Sequence, residues 1–229
     1  MIKHSLFPVF VAEFKYLEAK EFKNIFYDNA FKHIDNKGFS GERTGYVTIH
    51  HEPEFESLYK FLSKCVEQYL ERLNIDVKLF DINFVKSWFN ILKNQHTPIH
   101  AHGDAHISIV YYVNAPKNCQ QALRFYNYPE RMEPFSGSIR YNNTTNVWDN
   151  LNSYSWQFIP EQGSVFIFPS RLGHDTVSQS NFEDKGVKTV KDLENSRICI
   201  ASDVVLSYNK KQTKPLGLQP LSNWKQFSD

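Results

Sequence analysis

Residues 100–113 read HAHGDAHISIVYYV. The second half, ISIVYYV (107–113), is rich in branched and aromatic residues and reads as a strand. The first half sets His100, His102, Asp104 and His106 at every second position. In an extended chain such a row lies on one face, and all four side chains can ligate metals. Cα atoms two apart in a strand are separated by about 6.5 Å. Neighbours in the row can therefore meet at one ion, while the outermost pair cannot. Gly103 can bend the chain and help neighbours converge. The stretch sets the expectation of a β core with a metal near its rim.

Working outward, the same β texture continues on both sides. VKLFDINFVKSWFNIL (77–92), ALRFYN (122–127), WQFIP (156–160), SVFIFPS (164–170) and RICIASDVVLS (197–207) read as further strands. Residues 5–14 look extended and open a sheet, and YVTIH (46–50) alternates as a short strand. Helical spacing is confined to the N-terminal part. Residues 17–34 carry Phe22, Ile25 and Phe26 on one face. Residues 53–73 repeat Phe55, Leu58, Leu62, Cys65, Val66, Tyr69 and Leu73 at three-to-four intervals behind Pro53. That stripe is core packing, and Cys65 within it is buried filler rather than a nucleophile.

Helices first and then a run of strands give α+β, mainly β. The expected architecture is a jelly-roll (cupin-like, double-stranded β-helix) core with N-terminal flanking helices. One domain is expected over 1–229. Residues 1–75 form its helical support, 76–209 the catalytic jelly roll and 210–229 a tail. The polar loops 127–153 and 178–196 are long enough to serve as functional lids.

Bulk properties narrow the function. A net charge of +1 offers no steering field for nucleic acid. No run of 18 apolar residues suggests a membrane span. Three scattered cysteines, Cys65, Cys119 and Cys199, fit a reducing compartment, so a cytoplasmic protein is expected. LFPVFVA (6–12) is broken by Pro8 and lacks a small-residue cleavage site, which argues against a signal peptide.

A second piece answers the histidine row. In GSVFIFPSRLGHDTV (163–177) an apolar strand ends at Phe168-Pro169, and His174 follows after a short turn. Arg197 then opens the next strand. Two histidines and a carboxylate on one face form the facial triad of non-heme Fe(II) oxygenases. At this point the chain resembles the Fe(II)/2-oxoglutarate-dependent dioxygenases, especially bacterial and phage oxygenases related to prolyl hydroxylases. Those carry a His-x-His block, a Ser-Gly-x-Tyr-Tyr strand, a Phe-Pro-Ser…His turn and an Arg-x-Ser strand. The matching pieces here are HAHGDAHISIVYYV, FPSRLGH and RICIASD, and the resemblance covers residues 84–207.

The resemblance implies Fe(II) held by His102, Asp104 and His174, with 2-oxoglutarate as co-substrate. Arg197 would clamp its distal carboxylate, a task for which a guanidinium fork is suited. Tyr112, on the same strand parity as His102, and Cys199 would line the co-substrate site. His100 becomes a rim residue, and His106 faces the cavity. Asn90, His106, Arg131 and Trp148 are substrate-side candidates. The implied reaction is hydroxylation of a peptide or small molecule with O2, releasing succinate and CO2.

The chain departs from the pattern in three places. Ser108-Ile109 replaces Ser-Gly, Arg197-Ile198-Cys199 replaces Arg-x-Ser, and the segment between His174 and Arg197 is longer than usual. Three rivals remain open: a cupin metalloprotein without 2-oxoglutarate, a metal-dependent hydrolase of His-x-His-x-Asp-His type, and a jelly-roll binding module without catalysis. The hydrolase pattern needs a histidine directly after the aspartate, where Ala105 stands.

Overall fold

A computed structural model describes residues 9–30, 47–92, 97–117, 121–126, 153, 155–177, 190–211 and 217–227. Two antiparallel sheets form the framework. The larger has the order β1 (Ala12–Lys15), β6 (Ser164–Pro169), β3 (Ile107–Asn114), β8 (Arg197–Tyr208), β2 (Phe80–Leu92). The smaller has the order β5 (Ser155–Phe158), β4 (Ala122–Tyr126), β7 (His174–Val177). All named strand pairs are antiparallel, and the neighbours are far apart in sequence, as a jelly roll requires.

Strand alternation divides the interior in two. Ile107, Ile109, Tyr111 and Val113 of β3 belong to a large core shared with the helices. Val110 and Tyr112 of the same strand join Leu123, Phe125, Phe166, Phe168 and Cys199 in a second, smaller core. The first lies between the larger sheet and helices α1 (Ala19–Ala30) and α2 (Glu56–Arg72). The second lies between the two sheets, because its members come from β3, β6 and β8 on one side and β4 on the other.

The helices form where the periodicity places them. Leu58, Leu62, Cys65, Val66 and Tyr69 of α2 are all buried. Phe22 and Phe26 of α1 are each 1% exposed and pack against Phe55 and Tyr111. Each such side chain contributes about 1.5–3 kcal/mol through burial. Ile25 and Leu73 are exposed instead. Ile25 sits beyond the edge of the apolar stripe, and Leu73 caps the end of α2 after the last buried turn.

Other expectations need correction. Of YVTIH, Tyr46 lies outside the described residues, and the rest is not a strand: Thr48 makes a single bridge to Ser87, and Ile49–His51 turns as a 3-10 helix. Val77–Leu79 is also 3-10, with Asp76 accepting from the Lys78 amide, so β2 begins only at Phe80. Within the polar 178–196 segment, Val190–Glu194 forms a short helix, α3. Among the described residues, no helix is long and apolar enough to cross a membrane.

Gly163 makes the turn into β6. Its φ is +84°, and a Cβ there would lie 2.9 Å from both the Ala19 Cβ and the Tyr16 carbonyl oxygen. Its carbonyl accepts from the Tyr16 amide and its amide donates to the Tyr112 carbonyl, both at 2.8 Å. Gly103 has nothing within 4 Å of a hypothetical Cβ. Gly163→Ala should therefore lower the unfolding free energy by about 1–3 kcal/mol. Gly103→Ala should stay within about 0.5 kcal/mol. Urea denaturation of the two variants measures the contrast, and equal midpoints would refute it.

Candidate metal centre

The seven residues HAHGDAH are not an extended strand. His100 makes an isolated antiparallel bridge to His174, with backbone N–H···O bonds in both directions at 3.0 and 2.9 Å. The His102 amide donates to the Ser170 carbonyl at 2.8 Å. The chain then bends at Gly103-Asp104, and β3 starts only at Ile107. The bend leaves Asp104 and His106 exposed. The shared face expected of all four side chains therefore ends at His102.

One ring nitrogen each of His100, His102 and His174 lies within 4.8 Å of the other two. Ring centroids are 4.3 Å apart for His100–His174, 5.2 Å for His100–His102 and 5.3 Å for His102–His174. The expected pair His102 and His174 is thus brought together. The third member of the cluster is His100 rather than Asp104. His174 opens β7, directly after the turn that follows Pro169.

Hydrogen bonds orient the three rings alike. His100 Nδ1 is 2.9 Å from the Pro98 carbonyl, and His174 Nδ1 is 2.9 Å from the Leu172 carbonyl. A carbonyl only accepts, so the proton sits on Nδ1 in both rings. His102 Nδ1 lies 2.6 Å from Asp203 Oδ1, a carboxylate oxygen. In each ring Nε2 takes no part in these bonds and is the atom on offer to a metal. Burial pushes the His174 pKa down to about 4, with the neighbouring His100 and His102 rings acting in the same direction and the Leu172 carbonyl against it. His174 is therefore a neutral imidazole near pH 7. Three imidazoles form a donor set that suits Fe, Zn, Cu or Ni, so the residues present fit an Fe(II) ion.

The remaining candidates fall into place along the interior. Asp203, Ala201, Cys199 and Arg197 of β8 share one strand parity. Arg197 is 1% exposed; its Nη2 donates to the Tyr112 hydroxyl at 2.7 Å, and its guanidinium lies 4.9 Å from that ring's centroid. Cys199 pairs in register with Tyr112 on one side and Asn90 on the other. Burial raises its thiol pKa, Arg197 and the Asn90 side chain opposing. Arg197, Tyr112, Cys199 and Asn90 thus occupy one end of the row and Asp203 the other. Residues 197 and 203 span about 20 Å of strand.

His106 does not face the histidine cluster. Its Nδ1 accepts the Leu206 amide at 3.0 Å, which holds the ring over the start of β3. Arg131 and Trp148 lie outside the described residues. Sequence reasoning missed Asp203, Ser108 and Ser170. Ser108 Oγ donates to Asp203 Oδ1 at 2.9 Å and also lies 3.0 Å from Ser170 Oγ. The parity of Asp203 with Arg197 was the available signal: it puts an acidic residue on the interior face of a buried strand.

Residues 86–203 match a family model of 2OG-Fe(II) oxygenases. No curated protein sequence matches the chain. Among solved structures, AviO1 of Streptomyces viridochromogenes Tue57 is similar at a TM-score of 0.54 and 8% identity, over 90% of this chain and 93% of that one. The prolyl-4-hydroxylase of Pseudomonas putida is similar at 0.50 and 10% identity, over 86% and 92%. HygX of Streptomyces hygroscopicus, solved with iron bound, is similar at 0.50 and 8% identity, over 93% and 91%. At such identities the likeness concerns the fold, which is the expected double-stranded β-helix. The family match spans just over half of the sequence and contains every described candidate residue of the site, so the chain belongs to the 2OG-Fe(II) oxygenases, enzymes that use Fe(II) and 2-oxoglutarate.

Proposed function

We propose that this oxygenase hydroxylates a C–H bond of a small-molecule or peptide substrate at an iron held by His100, His102 and His174. The observation that carries the assignment is the convergence of three rings whose Nδ1 atoms are all engaged by oxygens, leaving three Nε2 lone pairs for one ion. This replaces Asp104 with His100 in the ligand set, because Asp104 is exposed beyond the bend and absent from the cluster. These three side chains would hold the ion and would leave part of its coordination to the co-substrate and O2. Bound Fe(II) and 2-oxoglutarate supply the oxidising chemistry, in which O2 is consumed and 2-oxoglutarate becomes succinate and CO2.

The chain's own residues bind, orient and exclude. Arg197 is a permanently charged group at the buried end of the β8 row, where it suits the distal carboxylate of 2-oxoglutarate. The Tyr112 hydroxyl accepts one guanidinium N–H and fixes the fork. Between Arg197 and the histidines stand Cys199 and Ala201, whose small side chains leave width for a dicarboxylate. Phe125 and Phe168 lie beside His174, with ring centroids at 6.3 and 4.9 Å, and shield it from water. The buried free thiols of Cys65 and Cys199 suit a reducing environment, and we place the enzyme in the cytoplasm.

Two measurements test this reading. Anaerobic addition of Fe(II) and 2-oxoglutarate should produce a weak metal-to-ligand charge-transfer band in the visible. His100→Ala should abolish the band and Asp104→Asn should leave it intact; the opposite result would return Asp104 to the ligand set. Titrating the band with 2-oxoglutarate tests the clamp. Arg197→Lys keeps the charge but loses the bidentate fork, worth about 1.5–3 kcal/mol. Its Kd for 2-oxoglutarate should rise about 10–100-fold, and an unchanged Kd would remove Arg197 from the co-substrate site.

A further inference from the structure

A centre of three imidazoles contributes no negative charge to a divalent ion. The buried carboxylate beside it does. Asp203 is 7% exposed, and its Oδ1 lies 2.6 Å from His102 Nδ1 and 2.9 Å from Ser108 Oγ. The contact depends on long-range pairing. Asp203 stands directly opposite Ser108 in the β3–β8 register, and His102 is positioned by its amide bond to the Ser170 carbonyl. Lys86, opposite Asp203 on the β2 side, carries its ammonium over the Trp88 ring at 4.5 Å. Within the histidine cluster, Asp203 bonds to the His102 ring. The equivalent Nδ1 partners of His100 and His174 are neutral backbone carbonyls.

We infer that Asp203 is a positioning residue that supplies the centre's negative charge from one bond away. It holds the proton of His102 on Nδ1, aims Nε2 at the metal, and makes that imidazole a more basic ligand than His100 or His174. A carboxylate behind a ligating histidine raises ligand basicity, and its loss typically weakens metal binding by about 10–100-fold. The carboxylate expected at Asp104 is thus present, moved from the first ring of ligands to the far side of His102. The inference rests on the three-histidine assignment.

Co(II) binding to the metal-free protein and the ¹⁵N signals of the His102 ring test it without turnover. Asp203→Asn keeps the size of the side chain and an acceptor oxygen but removes the charge. Co(II) affinity should fall about 10-fold, with His102 still protonated on Nδ1. Asp203→Ala removes the acceptor as well. Its affinity should fall about 100-fold, and His102 should show a mixture of tautomers. Wild-type Co(II) affinity in Asp203→Asn overturns the inference even if the alanine variant fails to fold. An unchanged His102 tautomer in a folded Asp203→Ala overturns it equally. His100→Ala separates the two readings: lost Co(II) binding there, with Asp203→Asn unaffected, sinks the role of Asp203 alone. Retained binding in His100→Ala sinks the three-histidine centre itself.

Discussion

The reciprocal backbone bridge between His100 and His174 is the constraint on which the centre depends. Its two hydrogen bonds tie the segment before β3 to the first residue of β7, across the mouth formed by the two sheets. Both bridge residues are histidines, so the pairing also sets two imidazole rings 4.3 Å apart. The next residue of like parity, His102, is held by Ser170 from the turn between β6 and β7. The β7 side is anchored in turn by Arg124, whose Nε and Nη2 reach the two carboxylate oxygens of Asp175 at 3.1 and 2.6 Å, and by the Tyr126 hydroxyl on the same carboxylate. Charge-assisted bidentate geometry makes this anchor stiffer than a single ion pair. A triad assembled from two distant chain segments needs such supports on both sides, because a displacement of about 1 Å is enough to spoil a metal site.

Sequence reading recovered the architecture because the signals there are redundant. Runs such as ISIVYYV and SVFIFPS read as strands, and five apolar positions at helical spacing in α2, flanked by Phe55 and Leu73, leave little choice. The places of His174 and Arg197 at strand edges were also legible. The path of residues 100–106 was not, for a local reason. Alternation was extended backwards from Ile107 through Asp104 to His100, but the strand stops at Ile107 and the chain bends at Gly103-Asp104. A His-x-His pair keeps its shared face over only two steps, whereas His-x-His-x-Asp needs four. The geometry keeps His100 beside His102 and leaves Asp104 beyond the bend.

Asp203 escaped for a different reason. A carboxylate in the middle of an apolar strand carries no local sign of its partner, and that partner is 101 residues away. Only the register of β8 against β3 brings it beside Ser108 and His102. Long-range pairing of this kind leaves no periodic trace in the chain. Parity is the one local trace: residues 197, 199, 201 and 203 point the same way, so a buried cation and a buried anion stand at opposite ends of one interior row. Burying either charge without a partner is costly. Each is met by hydrogen-bonding groups from neighbouring strands, Tyr112 for Arg197 and Ser108 with His102 for Asp203.

The split between the two cores explains how the fold can hold these charges. Most of the apolar packing sits on the helix side of the larger sheet, where α1 and α2 cover Ile109, Tyr111, Val113, Ile198 and Ile200. The inter-sheet core is much smaller. Alternation means that β3, β6 and β8 contribute to both sides at once. Tyr111 faces the helices, edge-on to Phe22 and Tyr16, while Tyr112 faces the interior and touches Arg197. Stability and chemistry are therefore carried by the same strands on opposite faces. The helix-side face compensates for polar groups on the other, since the free energy of burial there does not require the interior to be apolar. A one-residue slip in β8 would exchange the faces, putting Arg197 and Asp203 against the helices and Ile198 and Ile200 into the site. The energy that holds the register is thus the same energy that holds Asp203 behind His102.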